Sequence, residues 1–542
     1  MKNYLNKIFD EAKNKLNYLN DIELQFSIPQ ESSHGDYSIN AAMMLSKKLK
    51  KNPREIANEI IENLKYDSKI ISKIDIAGPG FINFYFTHTF VNKFLETVIS
   101  KGSSFGHFDK FKDKTANVEF VSANPTGPLT VGHGRNAVLG DVISNLLEAI
   151  GYSVDREYYF NNAGRQMRVL GKSIALRYLE LFGVNEEFPE ECYQGEYIKD
   201  IAKKVKAEFG NKFQDDIENN IFKETAEREI FNNIKKTLGD LKINFATYFN
   251  EDNLYKNKDI DEVLKKFEEK NLSYKSEGAT WLKFSELGQG QDKVIIKSTG
   301  EPTYRLPDIA YHESKFKRGY DLIVDIFGSD HNATYPDVLA GTKSLGYDIE
   351  KVKVVIYQFV TIIENGEVVK MSTRKANFIT LDELIDEVGA DVVRYFFIMR
   401  NHSSHMNFDL GLAKKHSDEN PIFYLKYAHA RICSILKLTK EEKLNSSLEN
   451  LNLLNTEIEQ KLIKHLHCFE DEVYQSAVNL EPHKIANYLE TLAALFHKFY
   501  TECRIIGSEV KLAEARIALI ESVKIVLKNG LNLLSIEPPE KM

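Results

Sequence analysis

Apolar positions early in the chain fall at helical spacing (Tyr4, Leu5, Ile8, Phe9, Ala12, Leu16), which predicts an amphipathic helix over residues 1–19. Further helices are expected within 38–64. Residues 74–86, IDIAGPGFINFYF, are β-rich around a glycine–proline–glycine turn at 78–80. The stretch GSSFGHFDKFKDK (102–114) reads as a linker. From 115 the pattern changes. A short apolar run at 118–121 leads into the turn-rich SANPTGPLTVGHG, and Val138, Leu139, Val142, Ile143, Leu146, Leu147 and Ile150 then repeat at helical spacing, with Gly151 as the stop. Strand, glycine-rich loop and helix together open a nucleotide-binding α/β domain. A similar unit recurs at 322–327, GSDHN and a helix around Val338, followed by a hairpin at Asn365-Gly366 that leads into VVKMSTR. Between the two units, about 165–275 reads as a charged helical insertion, and 279–309 holds the β-like runs TWLKF and KVIIK. Beyond about 400 the pattern predicts helices only, most simply a bundle.

Length and composition narrow the class. At roughly 150 residues per domain, 542 residues predict about three to four domains. With 43% hydrophobic and 28% charged residues, a largely disordered chain is excluded. No apolar run reaches the length of a membrane span, and the first twenty residues carry scattered charges and no apolar block, so a cytoplasmic protein with no membrane contact is expected. The four cysteines (Cys192, Cys433, Cys468, Cys503) are too dispersed for a disulfide framework or a structural zinc site. Net charge is −8, but the acid excess gathers in the middle of the chain, including Glu186, Glu187, Glu190 and Glu191. The N-terminal part keeps a stripe of Lys47, Lys48, Lys50, Lys51 and Arg54, either a solvated helix face or a footprint for an acidic partner.

The chemistry concentrates in two places. In NPTGPLTVGHGRN (124–136), prolines and glycines hold a loop open before a helix, and Gly127, Gly132 and Gly134 allow close backbone approach to a ligand. The helix end that follows favours phosphate, with His133 and Arg135 as added donors. No Walker loop is present. The second place is KMSTR (370–374), a lysine, hydroxyls and an arginine suited to polyphosphate.

Together VGH (131–133) and KMSTR resemble the HIGH and KMSKS elements of class I aminoacyl-tRNA synthetases. The wider text is similar to the arginyl-tRNA synthetases: VEFVSANPTGPLTVGHGRNAVLGD, GEPTYRLPDIAYH (300–312), FGSDHN (327–332), NPIFYLKYAHARICSI (420–435) and KNGLNLLSIEPPEKM (528–542), colinear from GPGFINF (78–84) onward. The resemblance implies a multidomain α/β fold: a small α+β domain (1–110) for the tRNA corner, a Rossmann-type parallel-sheet catalytic domain (115–400) with the helical insertion, and an all-α anticodon-binding bundle (401–542). It implies ATP with Mg²⁺, L-arginine and tRNA(Arg) as substrates, no tightly bound metal, and a monomer. His133 and Lys370 are expected to stabilise phosphate charge as pyrophosphate leaves, and Thr130, Gly132, Asp330, His331, Met371 and Ser372 to line the ATP site. Thr130 and Thr373 stand where the family's first histidine and second lysine stand, and Arg374 is expected to supply the missing charge. By the family match, Tyr304 and Asp308 face the substrate guanidinium, Asn124 holds the amino acid's polar end, and Glu119 lies beside it. From the residues alone, Tyr304 and Asp308 read equally as a helix-start tyrosine and a capping acid, and Glu119 as the partner of a lysine. For tRNA the candidates are Phe81 and Asn83 at the corner, and Tyr424, Tyr427, His429 and Arg431 at the anticodon end. Phe81 could equally be a core phenylalanine. A small-molecule adenylyltransferase would not need the helical tail. A non-catalytic tRNA-binding paralogue would bind tRNA without pyrophosphate chemistry.

Overall fold

The computed structural model describes residues 1–29, 31–369 and 379–542. Near the N-terminus, strands Phe26–Ser27, Tyr37–Ile39, Phe81–Phe86 and Ile71–Ala77 form an antiparallel sheet in that spatial order. Alternation decides its two faces. Ile82, Phe84 and Phe86 are buried, with Phe84 packed edge-on against Phe9 of helix Lys2–Lys13 at 6.0 Å between ring centroids. Phe81, Asn83 and Tyr85 take the other face.

The central domain is built on a five-stranded, all-parallel sheet. Its elements are β1 (Thr115–Glu119), α1 (Val131–Ala149), β2 (Ser153–Phe160), β3 (Thr247–Asn250), α2 (Arg305–Lys317), β4 (Leu322–Gly328) and β5 (Val352–Tyr357). The strand order is β5-β4-β1-β2-β3. Parallel neighbours need crossovers, and α1 is the crossover from β1 to β2. It is buried along most of its length, which explains why its apolar residues are not confined to one stripe. The chain reverses its direction of travel across the sheet between β1 and β4. Their carboxyl ends therefore diverge into opposite connections and leave a crevice, the usual ligand position in such sheets.

Three sequence expectations change. The segment about 165–275 is not purely helical: after helices Gly164–Glu180, Glu196–Phe209 and Asn220–Asp240 it supplies β3, the sheet's edge strand, and later strand Ser273–Ser276. Strands of four residues give too short an alternation to stand out among long helices. The region beyond 400 is likewise not all helix, because Met406–Asp409 pairs in parallel with Val360–Glu364. Residues 102–114 are a packed strap rather than a free linker. Phe105 is buried against Phe469, Phe111 stacks on Tyr152 at 4.6 Å, and the Asn529 amide donates to the Gly102 and Phe105 carbonyls.

The C-terminal part is a bundle of α3 (Pro421–Glu441), helices Glu457–His467 and Phe469–Val478, α4 (His483–Glu502) and α5 (Val510–Leu533). It touches both other parts. Asn92 donates to the Leu451 and Leu454 carbonyls, and His467 stacks on Phe94 at 3.6 Å. The fully buried Arg394 pairs with Asp141 of α1 and donates to the carbonyls of Leu241 and Leu534. One hydrophobic core runs through all three parts, and a second lies between α2, helix Asp259–Glu269 and the three-stranded sheet of 273–296. Among the described residues no helix is long and apolar enough to cross a membrane.

Candidate active site

The loop after β1 is held under backbone strain. Val121 and Ser122 both have positive φ, which a β-branched residue adopts only when its surroundings impose it. Asn136 imposes it here: its Oδ1 accepts the Val121 N–H at 2.7 Å while its Nδ2 donates to the Ile326 carbonyl at 3.0 Å. One side chain on α1 thus ties together the ends of β1 and β4 at the crevice. The far end of the loop is pinned by the Leu381 N–H donating to the Leu129 carbonyl and by a β-bridge between Thr130 and Thr380.

Thr130 is the N-cap of α1, and His133 folds back over it. His133 Nδ1 accepts the Thr130 backbone N–H at 3.1 Å, which leaves the ring proton on Nε2. Burial pushes the imidazole down to about 4, so at neutral pH His133 is an uncharged Nε2–H donor at the positive end of a helix. A Cβ added at Gly132 would meet nothing nearer than Thr130 Oγ1 at 3.7 Å, so the first turn opens onto free space. Gly134 is different. Its Cβ would lie 2.5 Å from Leu381, so this glycine serves packing rather than ligand approach. Arg135 is also corrected: its buried guanidinium donates to the carbonyls of Gln358, Asn401 and Ser404, which removes it from the phosphate side.

One face of α2 carries Asp308, Tyr311, His312 and Lys315, at spacings that bring them over the sheet. Beneath them three acids sit in register on neighbouring strands, Asp325 beside Glu119 and Glu119 beside Glu157. Lys315, fully buried, donates to Glu119 Oε2 and Asp325 Oδ1, both at 2.6 Å. Burial pulls its ammonium down, but Asp325 and Glu119 outweigh that and hold it above the usual lysine range. Burial likewise works against the Asp325 carboxylate, yet Lys315 and His312 hold it well below the usual range. Glu157 accepts from Asn117, Tyr311 and Arg318. Asp308 stands apart. Its backbone carbonyl accepts from His312, but among the described residues no cation pairs with its carboxylate. Burial, reinforced by Glu119 and Glu251, pushes that carboxyl up to about 7. A carboxylate enclosed without a counter-charge is a receptor waiting for a cation.

The remaining candidates divide. Asn124 lies on the site loop, accepting the Asn161 N–H and donating to Gln166. Asp330 and His331 are exposed at the carboxyl end of β4, and His331 stacks on Phe327 at 5.1 Å. Glu119 is not a free contact for a ligand, since Lys315 takes one oxygen and the Ser122 hydroxyl the other. Tyr304 is 85% exposed and does not close over Asp308, because Thr303 is fastened to β-strand Lys293–Ile296 and leaves the next side chain pointing outward. Lys370, Met371, Ser372 and Arg374 lie outside the described residues. Phe81 is 36% exposed on the outer face of the N-terminal sheet, whereas Asn83, on the same face, is only 2% exposed and cannot present its amide to a base. Tyr85, whose hydroxyl reaches the Ser33 carbonyl, holds the preceding segment over that part of the strand. Tyr424, Tyr427 and Arg431 do share a face of α3, grouped with His497 and Tyr500 of α4: Tyr427 stacks on His497, and Arg431 lies over Tyr427 and Tyr500. His429 points the other way, buried against the Pro539 carbonyl. Sequence reading missed Asn136, Lys315, Asp325 and His497. Only the helical spacing of Asp308, His312 and Lys315 signalled that one face of α2 would be polar.

Comparison with known proteins gives three family matches in order along the chain. They are the arginyl tRNA synthetase N terminal domain over residues 3–86, the class I (R) tRNA synthetase catalytic domain over 95–404, and the DALR anticodon binding domain over 425–542. An arginine–tRNA ligase of Desulfotalea psychrophila is 48% identical over 520 residues, covering 95% of this chain and 94% of its own. One of Chlorobium phaeobacteroides is 46% identical over 554 residues, covering 100% of both. The solved arginyl-tRNA synthetase of Thermus thermophilus shares the fold at a TM-score of 0.78 and 21% identity, over 99% of each chain.

Proposed function

The chain belongs to the class I arginyl-tRNA synthetases and is an arginine–tRNA ligase, and from that premise we propose how its own residues divide the work of joining arginine to tRNA. The family uses ATP with Mg²⁺ as substrates. In the reading we favour, the arginine carboxylate attacks the α-phosphorus of ATP, pyrophosphate leaves, and a terminal ribose hydroxyl of tRNA(Arg) then takes the arginyl group. No protein nucleophile is needed, so the residues act by alignment and charge stabilisation.

The crevice above β1 and β4 receives the nucleotide. His133 donates Nε2–H to a phosphate oxygen, the first turn of α1 with Gly132 and Thr130 lies alongside, and Asp330 and His331 face the nucleoside from the opposite lip. Lys370, with Met371, Ser372 and Arg374, completes the phosphate side. Support for that placement comes from the chain resuming at Thr380 directly against Thr130. Asn124 positions the amino acid's polar end. The observation that carries the arginine reading is Asp308, an enclosed carboxylate without a cation. Glu119 acts beneath it as a fixed charge, and Tyr304 is free to swing over a bound side chain.

For tRNA, we place the corner on the exposed face around Phe81 and the anticodon end on the Tyr424–Tyr427–Arg431 face, where bases stack on aromatic rings. Phe81→Ala and Tyr427→Ala should each raise KM for tRNA severalfold in aminoacylation while leaving KM for arginine unchanged. The principal test is arginine-dependent ATP–pyrophosphate exchange, with and without cognate tRNA and with lysine and cysteine as controls. Exchange with arginine alone among the amino acids supports the assignment. Absence of exchange with tRNA binding intact would favour a non-catalytic tRNA-binding protein and point first to Thr130.

A further inference from the structure

The wall opposite Asp308 holds a second acid that the family motifs do not include. Glu251 follows β3 directly, with its N–H on the Phe160 carbonyl at 2.9 Å. The Tyr159 hydroxyl donates to Glu251 Oε2 at 2.6 Å, and the Tyr255 hydroxyl reaches Oε1 at 3.5 Å. Tyr159 in turn packs on Tyr311 at 4.5 Å between centroids, and Tyr311 lies one turn beyond Asp308 on the inner face of α2. The contact chain Glu251–Tyr159–Tyr311 therefore sets Glu251 and Asp308 around one recess with an aromatic side wall. Among the described residues neither carboxylate has a lysine, arginine or histidine partner. The repulsion between them is visible at Asp308, which Glu251 helps to push upward after burial and Glu119.

A recess with two unpartnered acids and an aromatic wall suits a flat, delocalised cation with donors along two edges better than it suits a compact ammonium. We propose that Glu251 is a specificity-determining residue of the arginine subsite, receiving the substrate guanidinium opposite Asp308, with Tyr159 as the positioning residue that aims it. The inference rests on the reading that Asp308 faces the guanidinium.

The test is tRNA-supported ATP–pyrophosphate exchange by the full-length protein with arginine and with citrulline, whose ureido group has the same shape and no charge. Glu251→Gln keeps an acceptor for Tyr159 and removes only the charge. It should raise KM for arginine about 10- to 100-fold, with kcat within a few-fold of wild type. The preference for arginine over citrulline should fall by a similar factor, and the melting temperature should not drop. Tyr159→Phe should move KM in the same direction by less. If Asp308→Asn raises KM for arginine while Glu251→Gln leaves it within twofold, Glu251 has no part in the subsite and the proposal is overturned. If Asp308→Asn itself leaves KM unchanged, the underlying reading of Asp308 falls, and this proposal with it.

Discussion

At His133 the backbone decides the chemistry of the side chain. The Thr130 N–H occupies Nδ1, so the proton must sit on Nε2, and burial keeps the ring neutral down to about pH 4. Replacement by alanine should lower kcat for pyrophosphate exchange by about 10²–10³, the usual loss for one preorganised donor. Wild-type rates should show no limb from this histidine above about pH 5. Asp308 gives the opposite pH behaviour. Its carboxyl, pushed up to about 7, is protonated in the empty protein below that pH and must ionise to receive a guanidinium. We expect kcat/KM for arginine to climb with pH and level off above about 7, and Asp308→Asn to abolish that limb. The sign for stability runs the other way. A raised folded-state pKa means the folded form holds the proton more tightly than the unfolded chain, whose aspartates titrate near ~4. The empty protein therefore loses stability as pH rises from about 4 through about 7. Arginine should restore it, so the thermal shift produced by arginine should be larger at pH 8 than at pH 6.

At the scale of elements, α2 is the decisive helix. Its inner face sets Lys315 between two acids of adjacent parallel strands, an arrangement in which like charges in register would otherwise repel across the sheet. Lys315→Ala would strand Glu119 and Asp325 in the interior, and urea unfolding should register a loss of about 3–5 kcal/mol. The sequence showed part of this. A strand, glycine loop and helix could be read from 118–150 because α1 is long and its apolar repeat is regular. The motif YRLPD put Tyr304 and Asp308 at one helix start. The pairing of Lys315 with Glu119 could not be read, since it depends on β1 and β4 becoming neighbours across two hundred residues of intervening chain. Asn83 failed for a related reason: alternation places it on the outer face with Phe81, but alternation says nothing of what Tyr85 holds over that face. The four-residue strands Thr247–Asn250 and Met406–Asp409 were lost among helices because so few positions carry no readable period.

Across the whole molecule, Arg394 is the node where the parts meet. Its guanidinium is shared by Asp141 on the first catalytic helix, the Leu241 carbonyl after the helical insertion and the Leu534 carbonyl at the end of the bundle. Arg394→Ala should cost about 3–5 kcal/mol, because Asp141 would remain buried without its partner. The loss should appear as separation of the unfolding of the bundle from that of the central domain, followed by calorimetry. The same node bears on synthesis. Ser535, which also donates to Asp141, lies 394 residues after it in the chain. At the pace of translation that interval is roughly 20–80 s. Through all of it the nascent catalytic helix waits on the ribosome with its aspartate unclaimed. This protein's oldest-made helix is therefore finished by residues among its last to be translated, and a chain released early should fall to chaperones and proteases rather than persist as a half-working fragment.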